Sequence, residues 1–179
     1  MQIKSILGVV LTGVALFLFG FLYWGVNTLP YQAWNSVADP AAAQTAASTL
    51  FPDDGIYFVP GPTNEPATLK LFETGPAFFV TIDHTPIAGP DPAALAMGLV
   101  HNILAAGLLL LVLSRLSGMG SPVATSIVIG LCACFIINGS EIIWWMQPVG
   151  WIIYQVVYYL IYFAIAGFLL GYFMPKKTV

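Results

Sequence analysis

Four stretches of this 179-residue chain run with almost no charge: roughly Ile6–Val26, Ala94–Leu116, Pro122–Ile143 and Val149–Met174. Each is near the ~20 residues that let an α-helix cross the hydrocarbon core of a bilayer. Inside lipid, backbone N–H and C=O groups have no water to bond. A spanning segment must satisfy them internally, as a helix does. The remaining composition argues against a water-soluble domain. The chain is 59% hydrophobic and 7% charged, whereas soluble domains carry about a quarter charged residues. The sequence therefore predicts a membrane protein of the all-α class, a bundle of four transmembrane helices embedded in the lipid bilayer.

The cations give an expected orientation, because Lys and Arg are enriched in cytoplasmic segments close to helix ends. Lys4 precedes the first run, Arg115 lies between the second and third, and Lys176 and Lys177 follow the fourth. These positions alternate as they must if both termini are cytoplasmic. The remaining cation, Lys70, falls in the long segment on the opposite side. So do Asp39, Asp53, Asp54, Glu65, Glu73, Asp83 and Asp91, with Glu141 at the membrane edge there. The first run is longer than the ~7–15 residue core of a cleaved signal peptide. It closes on Tyr23 and Trp24, residues suited to the membrane interface. It is expected to be a retained anchor.

Residues 1–26 thus read as the first transmembrane helix, 27–92 as a small extracytoplasmic α+β cap, and 93–179 as three helices completing the bundle. Within the cap, Asp39 is placed as an N-cap with Pro40 at the first helical position, and Phe51–Pro52 ends the helix. "GIYFV", "ATLKLFE" and "PAFFVTID" read as short strands, the last two joined by a turn at Thr74–Gly75. Phe78, Val80 and Ile82 alternate onto one face of the final strand. The progression from "WGVNTLPY" through a short helix to "DDGIYFVPG" and "GPAFFV", then three closing helices, resembles a family of small bacterial inner-membrane proteins without an assigned activity. The resemblance covers most of the chain. It implies a multi-pass protein of the bacterial inner membrane and supplies no catalytic residues.

Polar residues inside the apolar runs are the candidates for function, since ionisable groups at membrane depth are costly and tend to mark sites. In "GLVHNILAAG", the small residues Ala94, Gly98 and Ala105 share a helix face with His101, beside Asn102. Small residues mark where membrane helices approach one another, so His101 is expected to face the bundle. Ser126, Gly130, Cys134 and Asn138 form a second stripe, which Glu141 continues. Tyr154, Tyr158 and Tyr162 recur at four-residue spacing on the last run, with Gln155 adjacent, and Gly167 and Gly171 offer a close-packing site. At about 1.5 Å per residue, His101, Gln155 and Tyr158 lie roughly 9–14 Å below the outer boundary. His101, Asn102, Asn138, Glu141, Gln155 and Tyr158, in the outer leaflet beneath the cap, are expected to hydrogen-bond one another and lock the helices, and they are also the candidate ligand-binding cluster.

Other features read as structural. Cys132 and Cys134 point roughly 200° apart on a helix, so they cannot pair, and both are expected to be buried packing residues. His84 beside Asp83 reads as a solvated turn without a third metal ligand. No phosphate-binding loop, nucleophile elbow or zinc-protease motif is present in the sequence. Five cations and a net charge of −3 argue against nucleic acid. The sequence thus predicts a non-enzymatic accessory or interaction subunit that presents its cap outside. Its partner would be another membrane protein or a second copy of the chain. The alternative is a redox protein whose outer-leaflet cluster holds a quinone head group, or a haem ligated by His101.

Overall fold

A computed structural model describes residues 3–86, 89, 91–116, 118 and 120–174. Lys176 and Lys177, on which the expected orientation partly rests, lie outside the described residues. The chain divides into two compact units, one built from the described residues up to Trp34 and from 91 onward, the other Asn35–Gly89.

The first unit holds the four long helices. Helix α1 (Ile3–Gly20) runs on through a π-helical turn, Phe21–Val26, and a short 3₁₀ segment follows at Leu29–Ala33. The inserted unit contains α2 (Pro40–Leu50), β1 (Gly55–Val59), α3 (Pro66–Thr74) and β2 (Phe78–Ile82). Then come α4 (Pro92–Arg115), α5 (Pro122–Trp145) and α6 (Val149–Phe173). Pro at the first helical turn starts α4 and α5, where its missing N–H costs nothing. Asp91 caps the Ala93 amide and Ser121 the Ala124 amide. All four long helices are apolar enough to cross a membrane, spanning Ile3–Val26, Pro92–Arg115, Pro122–Trp145 and Val149–Phe173.

The helices pack in the order α4–α1–α6–α5, and α4 touches α5 and α6 only slightly. Glycine sets this order. A Cβ on Gly13 of α1 would lie 2.6 Å from Ile103 Cα of α4, and one on Gly8 would lie 2.4 Å from Phe173 Cβ of α6. Gly130 of α5 receives Phe163, while Gly167 of α6 sits against the Pro122 carbonyl and Ser126. Small residues let backbones approach, which is how membrane helices associate without a hydrophobic driving force between them. The stripe Ser126, Gly130, Cys134 and Asn138 is buried along its whole length, as its spacing predicted. The apolar core (Val9, Leu16, Ala106, Leu109, Leu110, Leu113, Ala166 and Leu170) occupies the half of the unit that contains Arg115. We call this the arginine end, and the opposite end, with Trp24, Trp145 and Trp151, the tryptophan end.

The inserted unit has no buried residue among its described residues. Its two strands pair antiparallel, Gly55 opposite Ile82 and Val59 opposite Phe78. One expectation fails here: "ATLKLFE" is helical, not a strand. Leu69–Lys70–Leu71 alternates locally, but Pro66 at the helix start and the strong helix formers that follow decide the outcome. Residues Leu69 and Phe72 then share a face at three-residue spacing. The expected hairpin at Thr74–Gly75 is accordingly the end of α3, whose Gly75 amide bonds the Leu71 carbonyl. Ring contacts tie the unit together, Phe58 to Phe72 at 5.8 Å and Phe51 to Tyr57 at 4.8 Å.

Candidate functional site

The inward face of α4 differs from the expected one. Gly98 lies on both candidate stripes: three residues on is His101, four on is Asn102. The structure takes the second step. His101 and Ala94 are exposed, whereas Asn102 is half-buried and Ala106, Leu109 and Leu113 are buried. A one-residue error rotates a helix face by about 100°, enough to exchange core for periphery. The bulky Leu109 and Leu113, not the small Ala94, mark the packed side.

Asn102 is thereby positioned to join helices. The Tyr162 hydroxyl of α6 donates to Asn102 Oδ1 at 3.0 Å, and Asn102 Nδ2 donates to the Gly98 carbonyl at 2.8 Å. A second pair ties α5 to α6: Asn138 Nδ2 donates to Gln155 Oε1 at 2.6 Å. Each amide therefore satisfies another polar group inside the unit, as burial in an apolar medium demands. Glu141 lies half-buried near the end of α5, and its backbone carbonyl accepts the Gln147 amide at 3.1 Å. Of the six candidates, Asn138 and Gln155 meet directly, and Tyr158 lines a cavity with Gln155. Asn102 bonds Tyr162, and His101 stands apart.

Tyr158 is the hub of a ring cluster that sequence spacing did not reveal. It stacks on Phe19 with centroids 5.3 Å apart and planes 6° from parallel. It also meets Tyr23, Trp24, Tyr159 and Tyr162 at 5.2–5.8 Å. Hydrogen bonds fix the surrounding rings. The Tyr23 hydroxyl donates to the Tyr154 carbonyl at 2.8 Å, and the Tyr31 hydroxyl donates to the Trp24 carbonyl. Beside these rings lies an open concavity of about 400 Å³. Its wall comprises Trp24, Tyr31 and Trp34 from the end of the first span and the 3₁₀ segment, and Trp151, Tyr158 and Tyr159 from α6, with the Gln155 amide. From sequence Trp24 reads as an interfacial anchor, which does not place it in this wall. The density of rings in "YWGVNTLPYQAW" was the one available signal.

A second concavity, about 700 Å³, runs along α5 and α6 and is almost wholly apolar. Cys132, Cys134, Phe135, Asn138 and Gly139 line its α5 side. Cys134 is buried as expected, but Cys132 is exposed at the edge of the same groove. Gly139 differs from the other glycines of this helix pair: a Cβ there would meet nothing within 4 Å.

In the inserted unit, His84 pairs with Asp54 and not with its neighbour Asp83. Asp54 Oδ1 accepts the His84 backbone amide at 2.8 Å and lies 2.7 Å from the ring Nδ1. Asp83 instead accepts the Thr85 amide. The amide bond, then the ring contact, holds the Asp54 carboxyl below its ordinary pKa. Among the described residues no cluster of three His, Cys, Asp or Glu could hold a metal. Comparison of the chain with protein-family models, curated proteins and solved structures gives no match.

Proposed function

We propose that this is a non-enzymatic accessory or interaction subunit, a multi-pass protein of the bacterial inner membrane that works by associating with another membrane helix. Lys4, Arg115, Lys176 and Lys177 support cytoplasmic termini and an extracytoplasmic inserted unit. One observation carries the association. Gly8, Gly13, Gly130, Gly167 and Gly171 are each closed over by a neighbouring helix of the same chain, but Gly139 faces open space in the floor of the α5–α6 groove. A small residue in a membrane helix permits backbone approach, and this one is unused by the chain itself. Phe135 beside it is 85% exposed, a side chain available to grip a partner. The amides of this region bond each other, Asn138 to Gln155, so the groove offers packing surface and little reactive chemistry.

Exposed Cys132 in the same groove supplies a native handle. Cross-linking from Cys132 in native membranes should yield a discrete adduct with a second membrane protein or a second copy. The adduct should vanish with Gly139→Leu, while the variant melts like the parent. A lone, adduct-free chain from native membranes would sink the reading.

A further inference from the structure

We infer that the ring-walled cavity at the tryptophan end binds a quaternary ammonium group, an activity separate from helix association in the α5–α6 groove. Six aromatic side chains and one amide make its wall, and among the described residues no Asp, Glu, Lys, Arg or His contributes. That wall discriminates by charge and hydration. An anion would meet aromatic rings and no cation. A primary ammonium is strongly hydrated and would lose its water without a carboxylate to replace it. An ammonium clothed in methyl groups is weakly hydrated, fits apolar contacts, and is attracted by the quadrupole of each ring face. Aromatic cages recognise such cations for this reason.

The concavity is open on one side, but its rings are not scattered. Its volume of about 400 Å³ lies within the roughly 300–1,000 Å³ of small-molecule sites. Its rings come from three segments and brace one another: Trp24 to Trp151 at 5.4 Å, Trp34 to Trp151 at 5.1 Å, Trp24 to Tyr158 at 5.3 Å. The Tyr31–Trp24 and Tyr23–Tyr154 hydrogen bonds hold the segments in place. Preorganised walls bind without an ordering cost. At the end of the spanning helices, such a cation could be a trimethylammonium lipid head group or a free solute. The cage chemistry is the same for both.

The test is equilibrium dialysis of radiolabelled tetramethylammonium against the full chain in maltoside detergent, with sodium at equal ionic strength as competitor. Saturable binding that sodium does not displace is expected. Trp34→Leu should weaken it about tenfold, the scale of one lost cation–ring contact, and Trp34→Phe should restore most of it. Trp34 is 57% exposed, so neither change threatens the fold. Nanodiscs separate the sources. Binding that disappears in phosphatidylcholine discs but persists in phosphatidylglycerol discs identifies a lipid head group, and binding that persists in both identifies a free solute. Absent binding, displacement by sodium, or indifference to Trp34→Leu would overturn the inference.

Discussion

The two ends of the helical unit are joined by different means. At the arginine end the helices meet through glycine and serine, with Gly167 against the Pro122 carbonyl, Gly8 against Phe173, and an apolar core filling the remainder. At the tryptophan end they meet through rings and amide pairs, Tyr158 on Phe19 and Asn138 on Gln155. Small-residue contacts bring backbones together and leave no room. Rings cannot tile the space between helices, and the aromatic concavity opens at that end. One end is built for closeness, and the other leaves space that a ligand can use.

The largest expected effects come from forcing close-packed helices apart. Gly13→Ala and Gly167→Ala place a methyl 2.6 Å from Ile103 Cα and 2.7 Å from the Pro122 oxygen. Backbone atoms cannot step aside, so each change should cost about 1–3 kcal/mol in detergent unfolding. Gly139→Ala, with nothing within 4 Å, should cost nothing. If the three variants unfold alike, close packing does not distinguish the ends. The amide pair should matter less. A double-mutant cycle with Asn138→Leu and Gln155→Leu should give a coupling of about 0.6 kcal/mol, and at most about 1.7, as for other interhelical bonds in membranes.

Smaller again is the turn between α5 and α6, where Met146 adopts a left-handed conformation (φ 57°). Met146→Gly relieves that strain and should raise stability by about 0.5 kcal/mol in the same assay. The smallest effect belongs to His101. It is exposed on α4, so His101→Leu should leave unfolding within about 0.5 kcal/mol of the parent. A larger loss would put His101 back in the interface and return α4 to the rotated face.

How much of this was legible varies with the kind of signal. The four spans follow from apolar length alone, and their ends fall within a few residues of expectation. The α5 stripe was readable because Ser126, Gly130, Cys134 and Asn138 repeat every four residues without interruption. The α4 face was not, since Gly98 serves either step and small residues flank both sides of the helix. Helix α3 was missed because three residues of alternation outweighed Pro66 in the reading, whereas the chain responds to the whole nine-residue segment. Of the candidate cluster, pairing of Asn138 with Gln155 was within reach of a depth estimate. The cavity around Tyr158 was not, because its wall joins residues near Trp24 and Trp34 to α6, and no local pattern reports a contact between segments so far apart in sequence.

The packing order α4–α1–α6–α5 has a consequence in time. Helix α1 is made first, yet its neighbours are α4 and α6, the latter made last. At about 5–20 residues per second, α1 waits on the order of ten seconds before both surfaces it fits have been synthesised. Ser5, Thr12 and Gly13 are all buried in the finished unit, but Gly13 meets Ile103 of α4, which is made before α5 and α6. Helices α5 and α6, joined by a few residues, need no such wait and can pair as a hairpin. The contact of α1 with α6 is therefore a late event in synthesis, because it joins the first and the last of the four long helices to be made.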